Sequence, residues 1–133
     1  MRVLIDTNVL ISAALNPNSA TAEAYNKAAS HPNRGVICEQ NVDEMRRIFN
    51  QKFPNKLEAL DRFLATALVT LELVPVSEEE APEERQIRDA DDRPILRAAI
   101  RADVDILLTV NKDFLDSGVI HPIILTPREF LTL

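Results

Sequence analysis

The 133-residue sequence predicts an α/β fold built on a mainly parallel sheet. Three observations lead there. Short β-type apolar runs recur at 2–5, 36–38, 71–76, 106–110 and 119–125. Segments with apolar residues at helical spacing separate most of them. The length suits one core, with no internal repeat, linker or low-complexity tract, so 1–133 is expected to form one domain.

The elements follow in order. Strand 2–5 opens the chain, and a short helix over 7–14 ends at the turn-forming Asn16-Pro17-Asn18. An alanine-rich helix is expected over 19–30, broken by the stretch from His31 to Gly35. After strand 36–38, Val42, Met45, Ile48 and Phe49 give one apolar face to a helix over 40–52. Pro54 opens another, with Leu57, Leu60, Phe63, Leu64, Ala67 and Leu68 on one face. Such faces serve a core more often than an interface, and only exposure separates the two. Strand 71–76 comes next. Residues 77–92 then carry eight acids in sixteen positions, most of which read as a solvated loop and helix N-terminus. Ile95, Leu96, Ala99, Ile100 and Ala102 mark a helix with Pro94 in its first turn, where proline is tolerated. Strand 106–110, a turn at Gly118, strand 119–125 interrupted by Pro122, and a helical turn at Pro127 complete the chain.

Composition narrows the function classes. Hydrophobic residues at 46% and charged residues at 27% are those of an ordinary globular protein. No apolar run approaches the ~20 residues that cross a bilayer, so no membrane role is expected. The first apolar stretch is interrupted by an acid, which is not the layout of a signal peptide. A single cysteine, Cys38, excludes an internal disulfide framework and points to a reducing cytoplasm. Two histidines, each before a proline, give neither zinc spacing nor a triad. The formal net charge of −6 argues against a protein that simply coats nucleic acid through phosphate contacts. The acids either face solvent or converge on a divalent cation.

Their positions favour convergence. In open α/β sheets, sites form at the carboxyl ends of the strands. Asp6 follows the first strand, Glu44 lies on the helix after the second, and Asn111 and Asp113 follow strand 106–110. Asp89, Asp91 and Asp92 crowd the start of the helix leading into that strand. Taken singly, each has a plain structural reading. Asp6 suits the N-cap of the helix from Thr7, Asp91 or Asp92 the cap of the helix after them, and Asp113 the cap of a turn at 114–117. Glu44 suits a surface acid beside Arg47 and Ile48. Taken together, three or four carboxylates in one cleft repel one another unless a cation neutralises them. Oxygen donors without cysteine or histidine select Mg²⁺ or Mn²⁺. Such ions activate water and stabilise phosphodiester oxygens, which lets a net-acidic protein process nucleic acid.

Three blocks, "VLIDTNVLISA", "VICEQNVDEMRRIF" and "DADDRPILRAAIRADVDILLTVNKDF", resemble in order and spacing the PIN-domain family. Within it they are most similar to the VapC-like toxins of bacterial toxin–antitoxin pairs. The likeness runs from Met1 to about Pro127. It implies a three-layer α/β/α sandwich and Mg²⁺- or Mn²⁺-dependent endoribonuclease activity. It maps the catalytic, metal-binding acids onto Asp6, Glu44, Asp92 and Asp113, with Asp91 the alternative to Asp92. Thr7 and Asn8 are expected to support Asp6, and Thr109 and Asn111 belong to the last block, "TVNKDF". Asparagine at 111 stands where relatives often carry a carboxylate. Arg46, Arg47, Arg93, Arg97 and Lys112 are the candidates for steering RNA. A small antitoxin and a homodimer are the implied partners. Two other readings compete with this one. An aspartyl phosphatase is disfavoured, because Asn8 replaces the usual general acid two positions after Asp6 and only two glycines are present. A PIN-fold protein that mainly binds antitoxin or RNA, and cleaves weakly or not at all, is motivated by Asn111 and the modest basic content.

Overall fold

Parallel strands are covered on both faces, which is why the apolar runs here carry so few polar interruptions. The computed structural model describes residues 1–133. Strands β1 (Arg2–Ile5), β2 (Arg34–Cys38), β3 (Glu72–Val74), β4 (Ile106–Leu108) and β5 (Ile123–Leu125) form one sheet in the order β3-β2-β1-β4-β5. All four pairings are parallel, with Leu4 opposite both Val36 and Leu107.

Period-two alternation divides the strands between two cores. Val3, Ile5, Ile37, Ile106 and Leu108 face helices α1 (Thr7–Leu15), α2 (Ala20–Ala29), α3 (Glu39–Lys52), α4 (Leu57–Thr70) and α7 (Pro127–Leu131). Leu4, Val36, Cys38 and Leu107 face α5 (Arg93–Arg101) and α6 (Lys112–Leu115). The result is a three-layer α/β/α sandwich. Phe49 and Phe130 fill the first core and Phe114 the second, all fully buried. Truncating any of them to alanine costs about 3–5 kcal/mol. The apolar faces of α3 and α4 belong to the first core through Met45, Phe49, Leu60, Leu64 and Ala67. No helix is long and apolar enough to cross a membrane.

Several elements differ from expectation. The last strand is confined to Ile123–Leu125 rather than 119–125, since Pro122 has no N–H for the ladder. Gly118 does make the turn before it, with φ +78°. The helix from Pro54 begins as a tight 3₁₀ turn, Pro54–Lys56. The acid-rich segment is not simply solvated. It folds into 3₁₀ turns at Pro82–Gln86 and Ala90–Asp92 and buries Glu84. That carboxylate accepts two bonds from Arg97, at 2.9 and 2.7 Å, and one from the Ala81 N–H.

The topology fixes where a site forms. The chain leaves β1 for β2 on one side, while β4 lies on the other. At this reversal the connections diverge, and the carboxyl ends of β1 and β4 are where folds of this kind place their sites.

Candidate active site

Asp6 stands at that reversal, directly after β1. Its N–H donates to Leu108 O at 2.9 Å, which seats it against the end of β4. As N-cap of α1 its Oδ1 accepts the Thr7 N–H at 2.8 Å, and its Oδ2 accepts the Thr109 hydroxyl at 2.7 Å. Capping and membership of the site therefore coexist. The residue is 3% exposed. Burial pushes its carboxyl up to about 6, with the Thr109 and Thr7 bonds opposing and the charges of Glu44 and Asp92 adding.

Glu44 lies in the second turn of α3, half-buried rather than on the open surface. Its Oε2 accepts the Thr7 hydroxyl and its Oε1 the Gln40 amide, both at 2.8 Å. Gln40 also donates to Asp91 O at 2.9 Å, joining α3 to the turn before α5. The fully buried Asn41 donates to Thr7 Oγ1 at 3.0 Å. One threonine thus touches both acids, through its N–H and its hydroxyl.

The third group gathers from both ends of the α5–β4 unit. Carboxylate oxygens of Asp89, Asp92 and Asp113 lie within 4.8 Å of one another. Asp92 occupies the N-cap position of α5 but makes no capping bond. It accepts instead from Asn111 Nδ2 at 2.9 Å. Burial raises its carboxyl, Asn111 opposes, and the charges of Asp89, Glu44 and Asp113 add. The cap expected from Asp113 is supplied by Asn111, whose Oδ1 accepts the Asp113 N–H at 2.9 Å. Asn111 therefore turns its NH₂, not its oxygen, toward Asp92. Asp113 Oδ1 accepts from Arg88 at 2.7 Å, the one salt bridge made by this acidic group.

The remaining candidates divide. Thr109 binds Asp6, as described. Asn8 is exposed and makes no hydrogen bond to Asp6, which is held by Thr7 and Thr109 instead. The Asp91 carboxylate is exposed, and only its carbonyl joins the site, while Asp89 enters the cluster. Arg47 lines a groove of about 520 Å³ with Gln40, Glu44 and Asp91. Lys112 lines a neighbouring depression with Arg88 and Asp113. Arg46 is exposed on α3 outside both, and Arg93 is tied to Ile87 O at 2.9 Å. Arg97 is engaged elsewhere: Glu84 holds it in a buried two-point pair, and Ser77 O accepts a further bond at 3.0 Å. Gln40, Asn41 and Arg88 are not among the sequence candidates, and Asp89 is among them only as one of the acids crowding the start of α5. Gln40 had a local signal, four residues before Glu44 on one helix. Arg88 had none. Cys38 is fully buried beneath the site, and burial pushes its thiol up to about 11.

The donor set fits a hard divalent ion. Every acid offers oxygen, and burial together with their mutual repulsion raises Asp6 and Asp92. A divalent cation would stabilise such a cluster by offsetting its mutual repulsion.

A family model described as PIN domain matches residues 2–113. The chain belongs to the PIN domain family. Among solved structures it is similar to VapBC2 from Rickettsia felis, bound to a DNA fragment from its promoter, at 19% identity and TM-score 0.70. That match covers 95% of this chain and 98% of the other. It is also similar to Mycobacterium tuberculosis VapC20, a Sarcin-Ricin loop cleaving toxin, at 15% identity and TM-score 0.60, covering 89% of this chain and 96% of that one. At these identities the likeness shows the fold. No curated protein matches the chain.

Proposed function

We propose that the protein is a Mg²⁺- or Mn²⁺-dependent endoribonuclease and the toxin of a toxin–antitoxin pair. The observation that carries this reading is the gathering of Asp89, Asp92 and Asp113, whose carboxylate oxygens lie within 4.8 Å of one another, together with the Thr7 bonds that link Asp6 to Glu44. In this reading Asp6, Glu44, Asp92 and Asp113 hold the ion. When bound, it supplies an activated water and offsets the charge that develops on the phosphodiester.

The chain's own residues prepare the site. Thr7 and Thr109 occupy both oxygens of Asp6 and fix its plane. Gln40 and Thr7 do the same for Glu44. Arg47 and Lys112 stand beside Glu44 and Asp113 respectively, where cations draw the phosphates of a single strand toward the acids. RNA as substrate and a small antitoxin as partner come by analogy with the toxins of similar fold. A homodimer and a cytoplasmic location belong to the same reading. Incubation of single-stranded RNA with Mn²⁺ and either the unaltered protein or Asp6→Asn tests it. Cleavage by the former alone is expected, and equal cleavage by both overturns the assignment.

A second reading, a PIN-fold module that mainly binds antitoxin or RNA, is favoured by two features. Arg88 already neutralises Asp113, and Asn111 directs an amide donor into the cluster. It is supported if calorimetry finds no Mn²⁺ uptake even with RNA present.

A further inference from the structure

We propose that Asn41 is a positioning residue that fixes the Glu44 carboxylate through the Thr7 hydroxyl; this rests on the metal-dependent reading above. Asn41 lies in the first turn of α3 and is 0% exposed. Its Oδ1 accepts the Cys38 N–H at 2.9 Å, closing the start of the helix. A backbone N–H only donates, so the other end of this amide is the NH₂. That NH₂ donates to Thr7 Oγ1 at 3.0 Å. The single hydroxyl hydrogen of Thr7 is then left for Glu44 Oε2, 2.8 Å away. Asn41 thus sets the direction of a hydroxyl that would otherwise rotate.

Capping alone does not call for asparagine. An acidic side chain accepts the same N–H, and negative charge is favoured at a helix N-terminus. What asparagine adds is the donor aimed at Thr7. Thr7 in turn donates its N–H to Asp6 Oδ1 at 2.8 Å. The buried amide therefore locks the threonine that touches two of the four acids. Groups that orient metal-binding side chains typically change metal affinity by about 10- to 100-fold when removed.

The experiment compares the unaltered protein with Asn41→Asp, Asn41→Ala, Thr7→Val and the Asn41→Asp/Thr7→Val double variant. Mn²⁺ affinity is read by calorimetry without RNA, kcat and KM on single-stranded RNA, and folding by thermal melt. Asn41→Asp keeps the acceptor for Cys38 but removes the donor. It is expected to weaken Mn²⁺ about 10- to 100-fold and lower kcat, with KM for RNA unchanged. Thr7→Val should match it, and the double variant should add little, because the two residues act as one relay. Should Asn41→Asp fail to fold, Asn41→Ala carries the same expectation. Unaltered Mn²⁺ affinity in the folded Asn41 variants, or fully additive losses, overturns the inference and leaves the metal reading standing. Absence of Mn²⁺ binding by the unaltered protein overturns both.

Discussion

Arg88 Nη2 lies 2.7 Å from Asp113 Oδ1, so the acidic group of this PIN domain contains its own counter-ion. The two side chains are unequal partners. Arg88 is 87% exposed, in the short connection between two 3₁₀ turns, whereas Asp113 is 18% exposed beside Asp89 and Asp92. An exposed guanidinium leaves such a pair at little cost. A divalent ion that claims Asp113 has only that weak bond to displace.

Arg88→Gln is therefore expected to bind Mn²⁺ about two- to fivefold more tightly, the range that an exposed ion pair permits. The gain should shrink as salt rises, since exposed charges are screened. Calorimetry at two ionic strengths measures both effects. Weaker binding by the variant would mean that Arg88 holds Asp113 in place for the ion instead.

Asp6 governs a pH dependence. Its folded pKa of about 6 lies above the ordinary 3.8. The folded state therefore binds its proton more tightly than the unfolded chain. The associated stability is full below about pH 4 and is lost as pH rises through about 6. Asp92 is shifted in the same direction, so comparison with a variant isolates Asp6. Asp6→Asn should stabilise the ion-free protein at neutral pH by up to about 3 kcal/mol and flatten the decline between about pH 4 and 6. Urea denaturation across that range reads the difference. A parallel decline in both proteins would refute the assignment to Asp6.

Glu84 and Arg97 form a structural pair. Arg97 holds the Glu84 carboxyl below the usual range, and the side chains are 3% and 14% exposed. Glu84→Gln leaves the arginine without its charge partner and should cost about 3 kcal/mol. KM for RNA should be unchanged if Arg97 has no part in steering substrate. A lowered KM, from an arginine freed toward the phosphates, would return Arg97 to the site.

Asn111 balances the ion-free cluster. Its NH₂ donates to Asp92, and a carboxylate in its place would face Asp92 with like charge. Asn111→Asp should lower ion-free stability by about 1–3 kcal/mol. Added Mn²⁺ should then raise the melting temperature more than in the unaltered protein, because a tighter ion stabilises more. An equal rise in both would show that position 111 does not reach the ion.

Much of this was legible in the chain because the signals are local. The unbroken apolar runs Val3-Leu4-Ile5 and Ile106-Leu107-Leu108 mark strands covered on both faces, and the structure divides those residues between two cores. The spacing of Met45 and Phe49 sets the buried face of α3 and leaves Glu44 at its edge. Asp6 was conspicuous because a carboxylate directly follows a buried strand. The acid-rich segment misled, since nothing local separates Glu84, buried by an arginine thirteen residues on, from exposed acids around it.

The sequence by itself determined the α/β class, the order of most elements and the four acids worth examining, because periodicity and position after a strand are properties of neighbouring residues. Tertiary structure decided which side chains hold those acids. Thr109 reaches Asp6 across 103 residues, Asn41 reaches Thr7 across 34, and Arg88 reaches Asp113 across 25. It also paired Arg97 with Glu84, left Asn8 exposed away from Asp6 and turned the Asn111 NH₂ toward Asp92. The reason is physical: hydrogen bonds over such separations depend on where packed helices and parallel strands carry their ends, and no short window of residues encodes that.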